Sequence, residues 1–139
     1  MKQALSLLIL ITALLQLGAR TWDHVTMLTI GYGAISIMAI LISATFLWLW
    51  QVRATPLALG MSFSWAGSSL IMGGWWVAQL TGGAQFGVET EMMVVFLAFL
   101  ATGAVLHFSV IQASFNLHGM AFLIPVGAAV LVAAASLGL

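Results

Sequence analysis

The stretch VTMLTIGYGAISIMAILISATFLWLW, Val25 to Trp50, contains no charged side chain. A helix needs roughly 20 apolar residues to cross a hydrocarbon core of about 30 Å, so this run has the length of a membrane span with residues to spare. The remainder of the chain has the same character. Its 139 residues are 63% hydrophobic and only 4% charged, where a soluble domain carries about a quarter of its residues charged. The expectation is an all-α, polytopic integral membrane protein, a helical bundle forming one transmembrane domain over residues 1–139.

Working outward from Val25–Trp50, four further apolar runs predict helices at approximately 4–19, 57–80, 92–115 and 119–139. The first is short, near 24 Å as a helix, and spans only if Lys2, Gln3 and Arg20 snorkel to the two interfaces. It also resembles a secretory signal, with Lys2 ahead of the apolar ALSLLILITALLQLGA. Leu17, however, stands where cleavage wants a small residue. The run is read as a retained helix, giving five crossings, or four if it is removed.

Five crossings place Lys2 and Arg53 on one face and Arg20 on the other, which favours a cytoplasmic N-terminus in a bacterial inner membrane. The acids Asp23, Glu89 and Glu91 fall on the face opposite Lys2. Trp22, Trp48, Trp50, Trp75 and Trp76 lie near predicted helix ends, as in an interfacial aromatic belt. Pro56 suits a helix start, where no N–H is needed.

Three basic and three acidic residues leave no net charge. No basic stripe is present for phosphate neutralisation, so nucleic acid is not an expected partner. There is no cysteine, which excludes disulfides, thiol catalysis and Cys-ligated metals. No nucleophile elbow or phosphate-gripping loop is found, and an enzymatic role is not expected.

TIGYG, Thr29 to Gly33, resembles the selectivity filter of potassium channels, in which backbone carbonyls replace an ion's hydration shell. The likeness stops at Gly33, where the chain continues into the apolar AISIM instead of an acid and a polar linker. The segment Thr21–Leu28 is also too short for a turret and a pore helix. The glycines are therefore read as packing residues, since in lipid helices approach most closely over Gly, Ala and Ser. Gly31, with Gly33 or Ala34, and then Ser36 and Ser43 form one such face; Gly60, Ser64 and Ser68 form a second, at four-residue spacing. Gly127 marks a third on the last helix.

His107 lies well inside the fourth run, where an ionisable side chain is a functional candidate by default. Gly103 precedes it by one turn. That G-x-x-x-H spacing resembles the A-x-x-x-H pattern of antenna pigment-binding helices and leaves space for a flat macrocycle, pigment or haem, with His107 as ligand. The alternatives are a hydrogen bond from a neutral His107 to a backbone carbonyl or to Ser64, Ser68 or Ser69 on a neighbouring helix, and a polar path through His107, Ser64 and Ser68. Asp23, His24, Glu89 and Glu91 form a further candidate set, able to bind a divalent cation if their connections converge. Asn116, His118, Gly119 and Gln112 are read as structural.

The functional expectation is a non-catalytic accessory or scaffold subunit of a larger membrane complex, contacting lipid, quinone, pigment or haem. Its partners would be membrane lipids and either other membrane subunits or further copies of itself. The alternative is a small oligomeric transporter or channel that uses His107. The cofactor is not specified by the sequence.

Overall fold

A computed structural model describes residues 2–82, 90–115 and 118–136, with the side chains of 2, 90–92, 113 and 114 left aside. Its secondary structure is helical: α1 (Lys2–Thr21), α2 (His24–Arg53), α3 (Pro56–Leu80), α4 (Thr90–Ser114) and α5 (Leu123–Ala135). Three of these, α1, α2 and α4, are long and apolar enough to cross a membrane. At 25 residues α3 has the length, but its glycine, serine and glutamine content lowers its hydropathy. The last helix differs from its expected range of 119–139. Gly119 adopts φ 76° and belongs to a turn, so α5 begins only at Leu123 and its 13 residues reach about 20 Å.

The helix boundaries follow local chemistry. Asp23 has extended backbone ahead of α2, and its Oδ2 accepts the Thr26 N–H at 3.0 Å, satisfying one of the orphan donors of the first turn. At the other end Pro56 disfavours helical geometry at Thr55, which is extended. The chain reverses at Ala54, a non-glycine residue at φ 50°, whose N–H reaches back to the Trp50 carbonyl at 2.6 Å. Pro56 then starts α3 at a position where a missing N–H costs nothing.

The bundle is an ordered row in which each helix touches its neighbours in sequence: α3 packs along both α2 and α4, α1 meets α2 briefly, and α5 meets α4. This explains the composition of α3. A central helix that packs on two sides carries the small residues that close approach requires.

The α2–α3 interface is antiparallel and built on small residues. Gly33, Ser36 and Ala39 are buried on α2, and Ser62 and Ser69 on α3. Ser36 and Ser69 face each other, as do Ser43 and Ser62. Each member of the two pairs is seven residues from its counterpart in the other, two helical turns, which keeps both pairs on one seam. A Cβ on Gly33 would stand 2.6 Å from the Trp76 ring, so glycine there lets the indole lie against the α2 backbone. Beside it Tyr32 and Trp75 stack at 4.1 Å. Trp75 and Trp76 thus pack onto α2.

On its opposite side α3 approaches α4 backbone to backbone. A Cβ on Gly67 would meet the Leu100 nitrogen at 2.8 Å and the Phe96 carbonyl at 3.0 Å. One on Gly60 would lie 3.0 Å from the His107 nitrogen.

Candidate functional site

The α3–α4 contact determines where His107 sits. Gly60 is the fifth residue of α3, so the His107 backbone lies only about 6 Å along the axis from the start of that helix. The histidine is therefore near one end of the row. Hydropathy gives position within a run, but depth depends on how neighbouring helices are staggered.

Gly103 is buried, and the space that its missing side chain leaves is filled by Ser64 and the Gly60 carbonyl of α3. The small residue that the sequence offers to a macrocycle is used for helix packing. Ser64 thus contacts Gly103, Ser69 is engaged with Ser36, and Ser68 is half-buried. His107 Nδ1 is buried and has no hydrogen-bond partner among the described residues. The ring meets Phe108 edge-on at 5.5 Å.

His107 also lines a cavity of about 570 Å³ at the junction of three helices, with Phe46 and Leu49 of α2, Ala58 and Met61 of α3, and Val110 of α4. Thr55, Pro56 and Leu57 complete the wall at the start of α3. The volume falls within the range of small-molecule sites, roughly 300–1,000 Å³. Its wall is apolar apart from Thr55 and the imidazole. A second cavity, about 390 Å³, opens in the wedge between α1 and α2 beside Gly18, Trp22, Met27 and Gly31.

Of the acidic set, Asp23 and His24 are the members whose side chains lie among the described residues. Both Asp23 carboxylate oxygens are engaged by Thr26, Oδ1 by its hydroxyl at 2.6 Å and Oδ2 by its N–H. The hydroxyl and then the backbone N–H hold the Asp23 carboxyl below its ordinary value of 3.8. His24 is the first residue of α2 and is exposed. Glu89 lies outside the described residues, as does the side chain of Glu91 in the first turn of α4. No group of three or more His, Cys, Asp or Glu side chains gathers among the described residues.

Of the expected packing residues, Ser36, Gly60 and Ser64 lie in helix contacts. Gly31 and Gly127 do not, since a Cβ on either would meet nothing within 4 Å. Gly31 faces the α1–α2 wedge, on a different side of α2 from Gly33 and Ser36. Thr29–Gly33 is continuous α-helix, and its carbonyls belong to the helical ladder. Two residues take larger parts than their readings as a structural glutamine and a topological charge. Gln112 spans the α4–α5 turn, donating to the Gly119 carbonyl at 3.1 Å and accepting the Phe122 N–H at 2.8 Å. Arg53 ends α2 one turn beyond Leu49, on the face that lines the larger cavity. Compared with known proteins, the chain matches no family model, no curated protein and no solved structure.

Proposed function

We propose that this chain is a non-catalytic, membrane-embedded subunit that packs against other membrane proteins. The observation that carries the reading is the use made of its intramembrane polar groups. A path for ions or polar solutes needs several polar groups lining a route. Here the serines of the central seam bond to the backbone of the facing helix, Ser64 is packed on Gly103, and the cavities are walled mainly by apolar side chains. The row architecture also leaves the outer faces of α1 and α5 free of contacts among the described residues, available to lipid or to partner helices.

We further place the chain in a bacterial inner membrane with its N-terminus cytoplasmic. Support comes from the distribution of Lys2 and Arg53 against Arg20 and from the antiparallel run of α2, α3 and α4. A second reading, an oligomeric transporter, is favoured by His107 Nδ1, a buried polar atom with no hydrogen-bond partner among the described residues.

The deciding experiment is purification of the tagged chain in lipid nanodiscs, with mass analysis of co-purifying protein and an absorbance spectrum. The subunit reading expects other membrane proteins at fixed stoichiometry. A colourless homo-oligomer that moves ions or solutes in vesicles, and loses that activity on His107→Leu, would overturn it in favour of transport.

A further inference from the structure

The cavity beside His107 and the cation at its end together form an amphipathic site. Phe46, Leu49 and Arg53 stand at positions i, i+3 and i+7 of α2, which places them in one line along a single helix face. The first two line the cavity of about 570 Å³, and the next lining residue in the chain is Thr55, just beyond Arg53. Arg53 does not itself line the cavity; it is exposed and stands one turn beyond Leu49 on the same helix face.

We propose that this chamber holds an acyl chain of an anionic phospholipid, with Arg53 binding its phosphate. The apolar wall of this open recess gains dispersion contacts only from a partner that fits against it, and water finds too few polar partners there to supply them. A hydrocarbon chain restores those contacts. Specificity for negative charge comes from Arg53, whose planar fork of donors matches phosphate. Arg53 is exposed and no carboxylate among the described residues pairs with it. Asp23 caps the opposite end of α2, roughly 45 Å away along the helix, and Glu91 begins α4 at the end of the row away from Pro56. Thr55 makes no side-chain capping bond, so the first N–H groups of α3 add positive potential at the same end. A neutral lipid would fill the chamber but leave the guanidinium unanswered.

The inference rests on the membrane placement proposed above and is independent of the subunit role. The test incorporates the full chain into vesicles of equal phosphatidylglycerol and phosphatidylcholine, extracts it in mild detergent, and quantifies the lipid retained per protein. The wild-type chain is expected to retain phosphatidylglycerol in roughly fivefold preference, as one basic residue near an anionic lipid provides. Arg53→Gln should bring the ratio to that of the bulk, and Arg53→Lys should keep part of it. Leu57→Trp, at an exposed wall position, should lower retention of both lipids while Arg53 is intact. Wild-type retention without preference, or a preference unchanged by Arg53→Gln, overturns the proposal. A chain that keeps phosphatidylglycerol but brings no protein partner refutes the subunit reading alone; one that brings a partner and shows no lipid preference refutes the lipid site alone.

Discussion

Ser36 and Ser69 exchange hydrogen bonds across the α2–α3 seam: Ser36 Oγ donates to the Ser69 carbonyl at 3.0 Å and Ser69 Oγ donates to the Ser36 carbonyl at 2.9 Å. Ser43 and Ser62 repeat the exchange at 2.9 and 3.0 Å. Each hydroxyl thus binds the backbone of the opposite helix, and two such clasps separated by two turns define both register and direction. Ser36→Ala and Ser69→Ala should each destabilise the protein by about 0.5–1.5 kcal/mol. A double-mutant cycle followed by unfolding in mild detergent should show coupling between them, and strictly additive losses would mean that the clasp does not act as a unit.

Gly67 and Gly31 are both helical glycines with opposite expected responses to alanine. At Gly67 the added carbon meets Leu100 and Phe96 backbone atoms, which cannot rotate away, so Gly67→Ala should cost about 1–3 kcal/mol through forced separation of α3 and α4. At Gly31 the carbon meets nothing within 4 Å. Gly31→Ala should be neutral or stabilise by up to about 1 kcal/mol through helix propensity. Thermal unfolding of the two variants compares them directly, and equal losses would argue against the α3–α4 contact described here.

Gln112→Ala removes both bonds that hold the α4–α5 turn and should cost about 1–3 kcal/mol locally. Because α5 touches only α4 among the described residues, faster amide exchange should be confined to α5 and the turn. A rise spreading into α2 would show that α5 supports the central helices.

Asp23 gives the chain an acid-sensitive helix end. Bonds from the Thr26 hydroxyl and N–H hold its carboxyl below 3.8, so the folded state binds the proton more weakly than the unfolded one. The cap's contribution is complete above the ordinary value and is lost as pH falls through the lower folded one. Asp23→Asn keeps an oxygen for capping and should remove this acid limb, whereas Asp23→Ala removes the cap at every pH. Amide exchange in the first turn of α2 as a function of pH reads the difference.

Ala54 occupies the left-handed region at φ 50°, a conformation that disfavours L-residues by roughly 1–2 kcal/mol. Ala54→Gly should relieve that cost and raise the unfolding temperature, unless the α2–α3 turn also relies on the Ala54 methyl.

The all-helical class and most helix ranges were legible in the sequence alone, because run length, charge and capping residues act locally. Asp23 and Pro56 mark the ends of elements wherever those elements pack. The reading of α5 failed at Gly119 because a glycine continues a helix or turns it according to the contacts of its neighbours, and Gln112 makes those contacts. Partnerships were settled only in the tertiary structure. Gly31, Gly33 and Gly103 are equivalent as letters, yet Gly33 receives an indole, Gly103 receives a helix backbone and Gly31 faces an open wedge. His107 stood out in the sequence as an ionisable group in an apolar run, but its depth and its cavity depend on the stagger of α2, α3 and α4. That stagger arises from contacts between residues distant in the chain, such as Gly60 with His107 and Ser36 with Ser69, which no local pattern encodes.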